Sequence, residues 1–235
     1  MFFDPMYWVV IGVGMALSLW AQARVKGTFG KYSRIGTQSR MTGAEVARGI
    51  LEQSSIRGVQ IEPIRGSMTD HYDPRTRTLR LSEPVYGSNS MAAFGVAAHE
   101  VGHAIQHASG YAPLGFRSAW VPVANLGGGL SMLVLILAAF LGGAATAIGQ
   151  TAALVGVILF ATTTVFTLVT LPVEFDASRR ALRALESGGF VNSAELAGAR
   201  KVLNAAAMTY VAAFVTSLLT LVYWAYRLGL LGRRG

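Results

Sequence analysis

Hydrophobic and polar positions follow two different patterns along this chain. Three stretches carry no charged or histidine side chain: Pro5 to Ala23, Ser118 to Val173 (56 residues) and Val202 to Tyr226. A helix needs about 20 apolar residues to cross a bilayer. The first and third stretches therefore read as single spans, roughly Tyr7 to Ala23 and Leu203 to Tyr226. As one helix the middle stretch would be about 84 Å long against a hydrocarbon core of about 30 Å, so it must fold back. Gly142-Gly143 and Gly149-Gln150-Thr151 offer reversal points, which predicts a helical hairpin of about Asn125 to Ile148 and Thr151 to Leu171. Ala205-Ala206-Ala207 and Ala212-Ala213 suit close helix packing, and Thr162, Thr163 and Thr164 suit hydrogen bonds between helices.

Between these stretches the pattern is that of a small folded domain. Thr42-Gly43-Ala44-Glu45 has capping-box spacing ahead of Val46, Ile50 and Leu51, which predicts a helix to about Ser54. Val59, Ile61 and Ile64 suggest a short strand. Asp73-Pro74-Arg75 signals a turn, and Thr76 to Leu81 alternates as a second strand. From Asn89 to Ala108 the residues Met91, Phe94, Val96, Val101 and Ile105 fall on a helical period.

The expected fold is a mainly α membrane protein: about four transmembrane helices with a small α+β domain between the first and second spans. Five parts follow: an anchor over 1–30, a small α+β domain over 31–118, a membrane hairpin over 119–173, a polar helix over 174–201, and a fourth span with a basic tail over 202–235. Ala21-Gln22-Ala23 fits a small-x-small cleavage site. The preceding Met1-Phe2-Phe3-Asp4-Pro5 has no base and one acid, so the first span is expected to stay as an uncleaved anchor.

Composition sharpens this picture: 52% of residues are hydrophobic and 14% charged, with a mean hydropathy of +0.45. Disorder is thereby excluded. The net charge of +8 does not indicate nucleic acid, because the basic residues are dispersed and flank the spans. Seventeen of the twenty Lys and Arg lie in the two connections that four spans place on one side. The positive-inside rule makes that side the cytoplasm, for a multi-pass protein of the plasma membrane. Arg227, Arg233 and Arg234 in the tail run against the rule. With no cysteine, any metal must be held by His, Asp or Glu.

His99-Glu100-Val101-Gly102-His103 lies inside the helix expected up to Ala108. Residues one turn apart face the same way, so both imidazoles can reach one zinc ion. Glu100, offset by one position, can take a proton from the attacking water and deliver it to the leaving amine. Two histidines leave a catalytic zinc one protein ligand short. His71, His107, Glu174, Asp176, Glu186 and Glu195 are candidates. Glu174 is attractive because it follows the hairpin directly, and an even number of crossings returns it to the side of His99. His107, about 6 Å further along the helix axis than His103, is too far to close on the same ion. The plain alternative is a helix with two hydrogen-bonded histidines and a solvated glutamate.

Together these residues resemble the membrane-bound neutral zinc metallopeptidases of the YugP-like group. The likeness is carried by the stretch from His99 to His107, by Phe3-Asp4-Pro5, by Asp70-His71-Tyr72-Asp73-Pro74, by Glu174-Phe175-Asp176-Ala177-Ser178-Arg179-Arg180-Ala181, and by Asn204-Ala205-Ala206-Ala207-Met208-Thr209-Tyr210. It implies a zincin-like domain and a gluzincin-type site, with His99, His103 and Glu174 on zinc and Glu100 as catalytic base. More distantly, the chain is similar to membrane gluzincins of the heat-shock protease and CAAX-processing type. In those, an acid four residues after the glutamate ligand supports a zinc-binding histidine. Here that position is Ser178, whose hydroxyl can accept an imidazole N–H without adding charge, while Asp176 on a helix would face away.

A zinc endopeptidase acting on membrane-associated or misfolded polypeptides is the expected function, with the lipid bilayer and polypeptide substrates as partners. A zinc-binding membrane scaffold without turnover is the competing class. It would have no use for Glu100 beside an open metal position. The segment Thr76 to Leu81 is the expected edge strand for an extended substrate. Tyr210, His71 and Tyr72 are candidate donors to the oxyanion.

Overall fold

The computed structural model describes residues 4–228. Phe3, Arg233 and Arg234 lie outside the described residues. Among the described residues the chain is mainly helical, with four helices long and apolar enough to cross a membrane and one small sheet. In order, the elements are α1 (Pro5–Tyr32), α2 (Gly43–Gln53), β1 (Gln60–Ile64), β2 (His71–Asp73), β3 (Thr78–Ser82), α3 (Glu83–Tyr86), α4 (Met91–Ala108), α5 (Ala112–Phe140), α6 (Ala147–Ser187) and α7 (Ser193–Arg227). They form two compact units, one of residues 21–115 and 172–209, the other of the remaining segments.

The apolar unit contains most of the charge-free stretches, residues 202–209 of the third belonging to the polar unit. Leu126, Leu133, Phe140 and Ile148 point outward and exposed, as side chains that meet lipid do and side chains in water seldom do. The hairpin reverses at Gly142, whose φ of 94° needs a residue without a Cβ. Gly149-Gln150-Thr151, the other expected reversal point, instead lies inside α6. Among the three threonines, only the Thr164 hydroxyl reaches another helix, donating to the Ser217 carbonyl at 3.4 Å. Thr162 bonds back to Leu159 on its own helix, a competing option always open to a helical threonine. At the end of α7, Arg227 lies 3.3 Å from Asp4, which also accepts from the Tyr223 hydroxyl at 2.9 Å. One of the three tail arginines that run against the charge rule is thus paired.

The helices exceed their expected bounds. The 41 residues of α6 make about 62 Å of helix, twice a hydrocarbon core. Glu174 therefore sits on a direct continuation of the third span rather than on a separate helix. Pro172 marks the boundary between units without ending the helix.

In the polar unit, α2 begins with the expected capping box, Thr42 accepting from the Glu45 N–H and Glu45 from the Thr42 N–H. Its Val46, Ala47 and Ile50 bury against Phe94, Ala97, Ala98 and Val101 of α4 and against Leu79 and Leu81 of β3, with Ala181, Leu185 and Ala199 closing the cluster. The sheet order is β1-β3-β2, with β1 parallel and β2 antiparallel to β3. This corrects the expectation for Thr76 to Leu81. The strand found there, β3, is paired on both sides, so its backbone offers no edge. Its leucines alternate as expected, but Thr78 and Ser82 are buried as well, the mark of a central strand. The outer edges belong to β1 and to β2, a three-residue strand too short to show a period.

Glu195, one of the candidate ligands, is a structural glutamate. Nearly fully buried, it accepts from the Gln38 N–H at 2.6 Å and the Asn192 N–H at 2.8 Å. Asn192 in turn accepts from the Glu195 N–H at 2.9 Å, a reciprocal cap at the start of α7. Replacing Glu195 by Ala strands two backbone donors. We expect a loss of about 2–3 kcal/mol, read as a lowered melting temperature in detergent; an unchanged value would show that water satisfies both donors.

Candidate metal centre

His99 and His103 stand one turn apart on α4, a helix capped by the Ser90 hydroxyl, which accepts from the Ala93 N–H. Glu174 comes from α6. A close helix crossing joins the two, because Gly102 has no side chain: a Cβ at that position would strike the Ala177 carbonyl. One turn earlier on α6 is Glu174, and Ser178 follows Ala177 directly. Both thereby come within reach of the imidazoles.

The three candidate ligand atoms lie within 4.8 Å of one another. His99 Nε2 is 3.1 Å and His103 Nε2 is 3.7 Å from Glu174 Oε2. Tetrahedral zinc with bonds near 2.0–2.1 Å separates its ligands by about 3.3 Å, so the spacing fits such an ion. The donor set fits too: two imidazole nitrogens and one carboxylate, with a fourth position left to water or substrate.

Hydrogen bonds fix which nitrogen of each ring faces Glu174. Gln106, fully buried, donates its amide to the Val173 carbonyl at 2.8 Å and to Asp176 at 2.9 Å. Its amide oxygen is therefore the atom 3.0 Å from His103 Nδ1, and that nitrogen must carry the proton. His103 Nε2 keeps its lone pair toward Glu174. For His99 the corresponding partner is Ser178 Oγ, 3.1 Å from Nδ1, so a hydroxyl does take the acid's place, as the sequence allows. Asp176 is not idle. It acts on His103 through Gln106, and Arg180 holds it at 2.6 Å. Gln106 was absent from the sequence reading. The signal was its i+3 spacing from His103, which puts both on one helix face.

Glu100 is buried beside the triad. Burial pushes its carboxyl up to about 7, the nearby Glu174 carboxylate adding to the rise against the opposing effect of His99. The Tyr72 backbone N–H of β2 is directed at it. The Tyr72 hydroxyl lies 2.9 Å from His107 Nδ1, so His107 serves this strand-to-helix contact and stands outside the triad. Burial also raises the Tyr72 hydroxyl pKa, keeping it protonated. A pocket of about 440 Å³ opens beside this pair, with Val59, Arg57 and Arg77 among its walls.

His71 and Glu186 have other surroundings. His71 is exposed, its Nδ1 2.8 Å from the Thr69 carbonyl, and Glu186 is exposed near the end of α6. Tyr210 is half-buried on α7, at the first residue of that helix counted with the apolar unit.

Four helices fit to span a bilayer and a cluster of two histidines and one carboxylate define the class, a multi-pass membrane protein with a metallopeptidase-type site. Residues 7–229 match the family described as "Putative neutral zinc metallopeptidase", and the chain belongs to that family. It is 48% identical over 208 residues to the "Putative membrane protease YugP" of Bacillus subtilis (strain 168), covering 88% of this chain and 90% of that protein. No solved structure matches.

Because the site depends on the α4–α6 crossing, Gly102→Ala is expected to destabilise the protein by about 1–3 kcal/mol. A melting temperature equal to wild type would show that the crossing tolerates a methyl group.

Proposed function

We propose that this chain is an integral membrane zinc endopeptidase, with a zincin-like catalytic domain at the cytoplasmic face of the plasma membrane. Its substrates are membrane-associated or misfolded polypeptides. The observation that carries the reading is the convergence of His99, His103 and Glu174 with a buried Glu100 alongside. In this reading His99 Nε2, His103 Nε2 and the Glu174 carboxylate hold the metal, a gluzincin-type set. Zinc bound there supplies a Lewis acid that polarises the scissile carbonyl and acidifies the attacking water.

The chain's own groups do the rest. Glu100 takes a proton from the water and passes it to the leaving amine, and a carboxyl near neutrality suits both halves of that transfer. Gln106 holds His103 in the tautomer a metal needs, and Ser178 orients the His99 ring through Nδ1. An extended substrate adds to the outer edge of β2, whose backbone runs beside α4, by main-chain hydrogen bonds. The oxyanion donor in this proposal is Tyr210, whose phenol can donate a hydrogen bond. Seventeen basic residues in the two long connections support the cytoplasmic placement. A reporter fused after Gly36 and found active outside the cell would reverse it.

Glu100→Gln separates the peptidase from a scaffold. It is expected to retain zinc while losing at least about a hundredfold in turnover, and undiminished cleavage of a polypeptide substrate by that variant excludes the peptidase reading. His99→Ala, His103→Ala and Glu174→Ala are expected to lose zinc by metal analysis; full occupancy in the Glu174 variant would move the third ligand elsewhere. Gln106→Leu should weaken zinc affinity by about 10–100-fold, measured by competition with a chelator. Tyr210→Phe should lower kcat at unchanged zinc content, and unchanged turnover removes that residue from the mechanism.

A further inference from the structure

A second pocket, of about 430 Å³, lies in the polar unit between the last turns of α1 and the first half of α7. Arg24, Gly27, Thr28 and Lys31 line it from α1, and Lys201 and Asn204 from α7. The spacing 24, 27, 28, 31 puts three side chains and Gly27 on one face of α1, and 201 and 204 share a face of α7. Tyr32 fixes the wall behind them, buried with Ala92 and Val202 and packed flat enough that a Cβ on Gly198 would press its ring.

Three cations line the pocket and no carboxylate does. Among the described residues, neither Lys31 nor Lys201 has a carboxylate within ion-pair distance. Like charges gathered around one cavity repel each other, and an anion between them relieves that repulsion. Thr28 and Asn204 add a hydroxyl and an amide that can donate to its oxygens. The floor is open, since a Cβ at Gly27 meets nothing within 4 Å.

The place of these cations along their helices selects the anion. On α1 the charge-free stretch ends at Ala23 and Arg24 is the first charge after it. On α7 Lys201 is the last charge before the charge-free stretch that starts at Val202. The apolar unit ends at Trp20 on α1 and begins at Tyr210 on α7. Arg24 thus lies about 6 Å and Lys201 about 14 Å along the helix from it, a span that long basic side chains shorten by reaching toward the lipid phosphates. Basic pockets between helices at that level suit anionic headgroups, and lysine binds phosphate as a point charge. We propose that this pocket binds the phosphate of an anionic phospholipid headgroup, gripping one lipid between α1 and α7.

The test uses the full chain, zinc-loaded in detergent, titrated with short-chain phosphatidylglycerol, with phosphatidylcholine and with inorganic phosphate. Two variants separate charge from space. Lys31→Gln combined with Lys201→Gln removes cations. Gly27→Leu fills the floor and leaves every charge in place. Wild type is expected to prefer phosphatidylglycerol over phosphatidylcholine by roughly tenfold or more, and both variants to lose that preference. Lipid-free melting temperatures report whether each variant folds, and either variant alone suffices if the other does not. Equal affinity for the two lipids, or a preference that survives in a folded variant, overturns the proposal. Inorganic phosphate binding as tightly as phosphatidylglycerol also overturns it, because the occupant would then be a soluble anion.

Discussion

The contact of Gly102 with the Ala177 carbonyl is the constraint from which the centre is built. Two helices normally pack 8–10 Å apart because side chains keep their axes separate. Where a glycine faces a backbone carbonyl the axes can approach further, and short side chains then meet across the gap. Glu174 and Ser178 flank Ala177 on α6, while His99 and His103 flank Gly102 on α4. The crossing therefore brings both histidines to the carboxylate in one stroke. Every other feature of the polar unit steadies this crossing: α2 and the sheet press α4 from behind, and α7 packs along the same helix at Gly95.

A buried carboxylate between two imidazoles is costly unless each group has its partners. Here the outer nitrogens are committed to Ser178 and Gln106, and Gln106 is itself saturated by Val173 and Asp176. The polarity of this chain is set by one backbone carbonyl. Because Val173 can only accept, the Gln106 amide must donate to it, its oxygen must face His103, and His103 must present a lone pair. Through Asp176 the same chain ends at Arg180, which brings charge to His103 by way of a neutral amide.

Glu100 has the opposite environment. Burial outweighs the opposing pull of His99 and raises its carboxyl to about 7. Two glutamates that feel each other's charge are thereby given different chemistry by their surroundings. β2 tempers this by directing the Tyr72 N–H at Glu100, which favours the charged carboxylate, so the strand that an extended substrate would join is also part of the base's wall.

Much was legible in residue spacing. The charge-free stretches gave four spanning helices because hydrocarbon admits no unpaired charge over 20 residues, and the His99–His103 interval gave two rings on one face because a helix repeats every 3.6 residues. The capping box at Thr42 and Glu45 was equally local. Other features depended on partners far along the chain. Whether Thr76 to Leu81 was an edge or a centre rested on β2, a strand of three residues with no pattern of its own. The role of Gln106 rested on a carbonyl 67 residues away, and that of Gly102 on the backbone of a helix reached only after a membrane hairpin. By itself the sequence determined the spans, the local caps and the chemistry of the paired histidines, since those follow from short-range periodicity. Tertiary structure decided which carboxylate meets them, how their protons are arranged and which strand edge stays open, because each of these is a distance between residues that no local spacing controls.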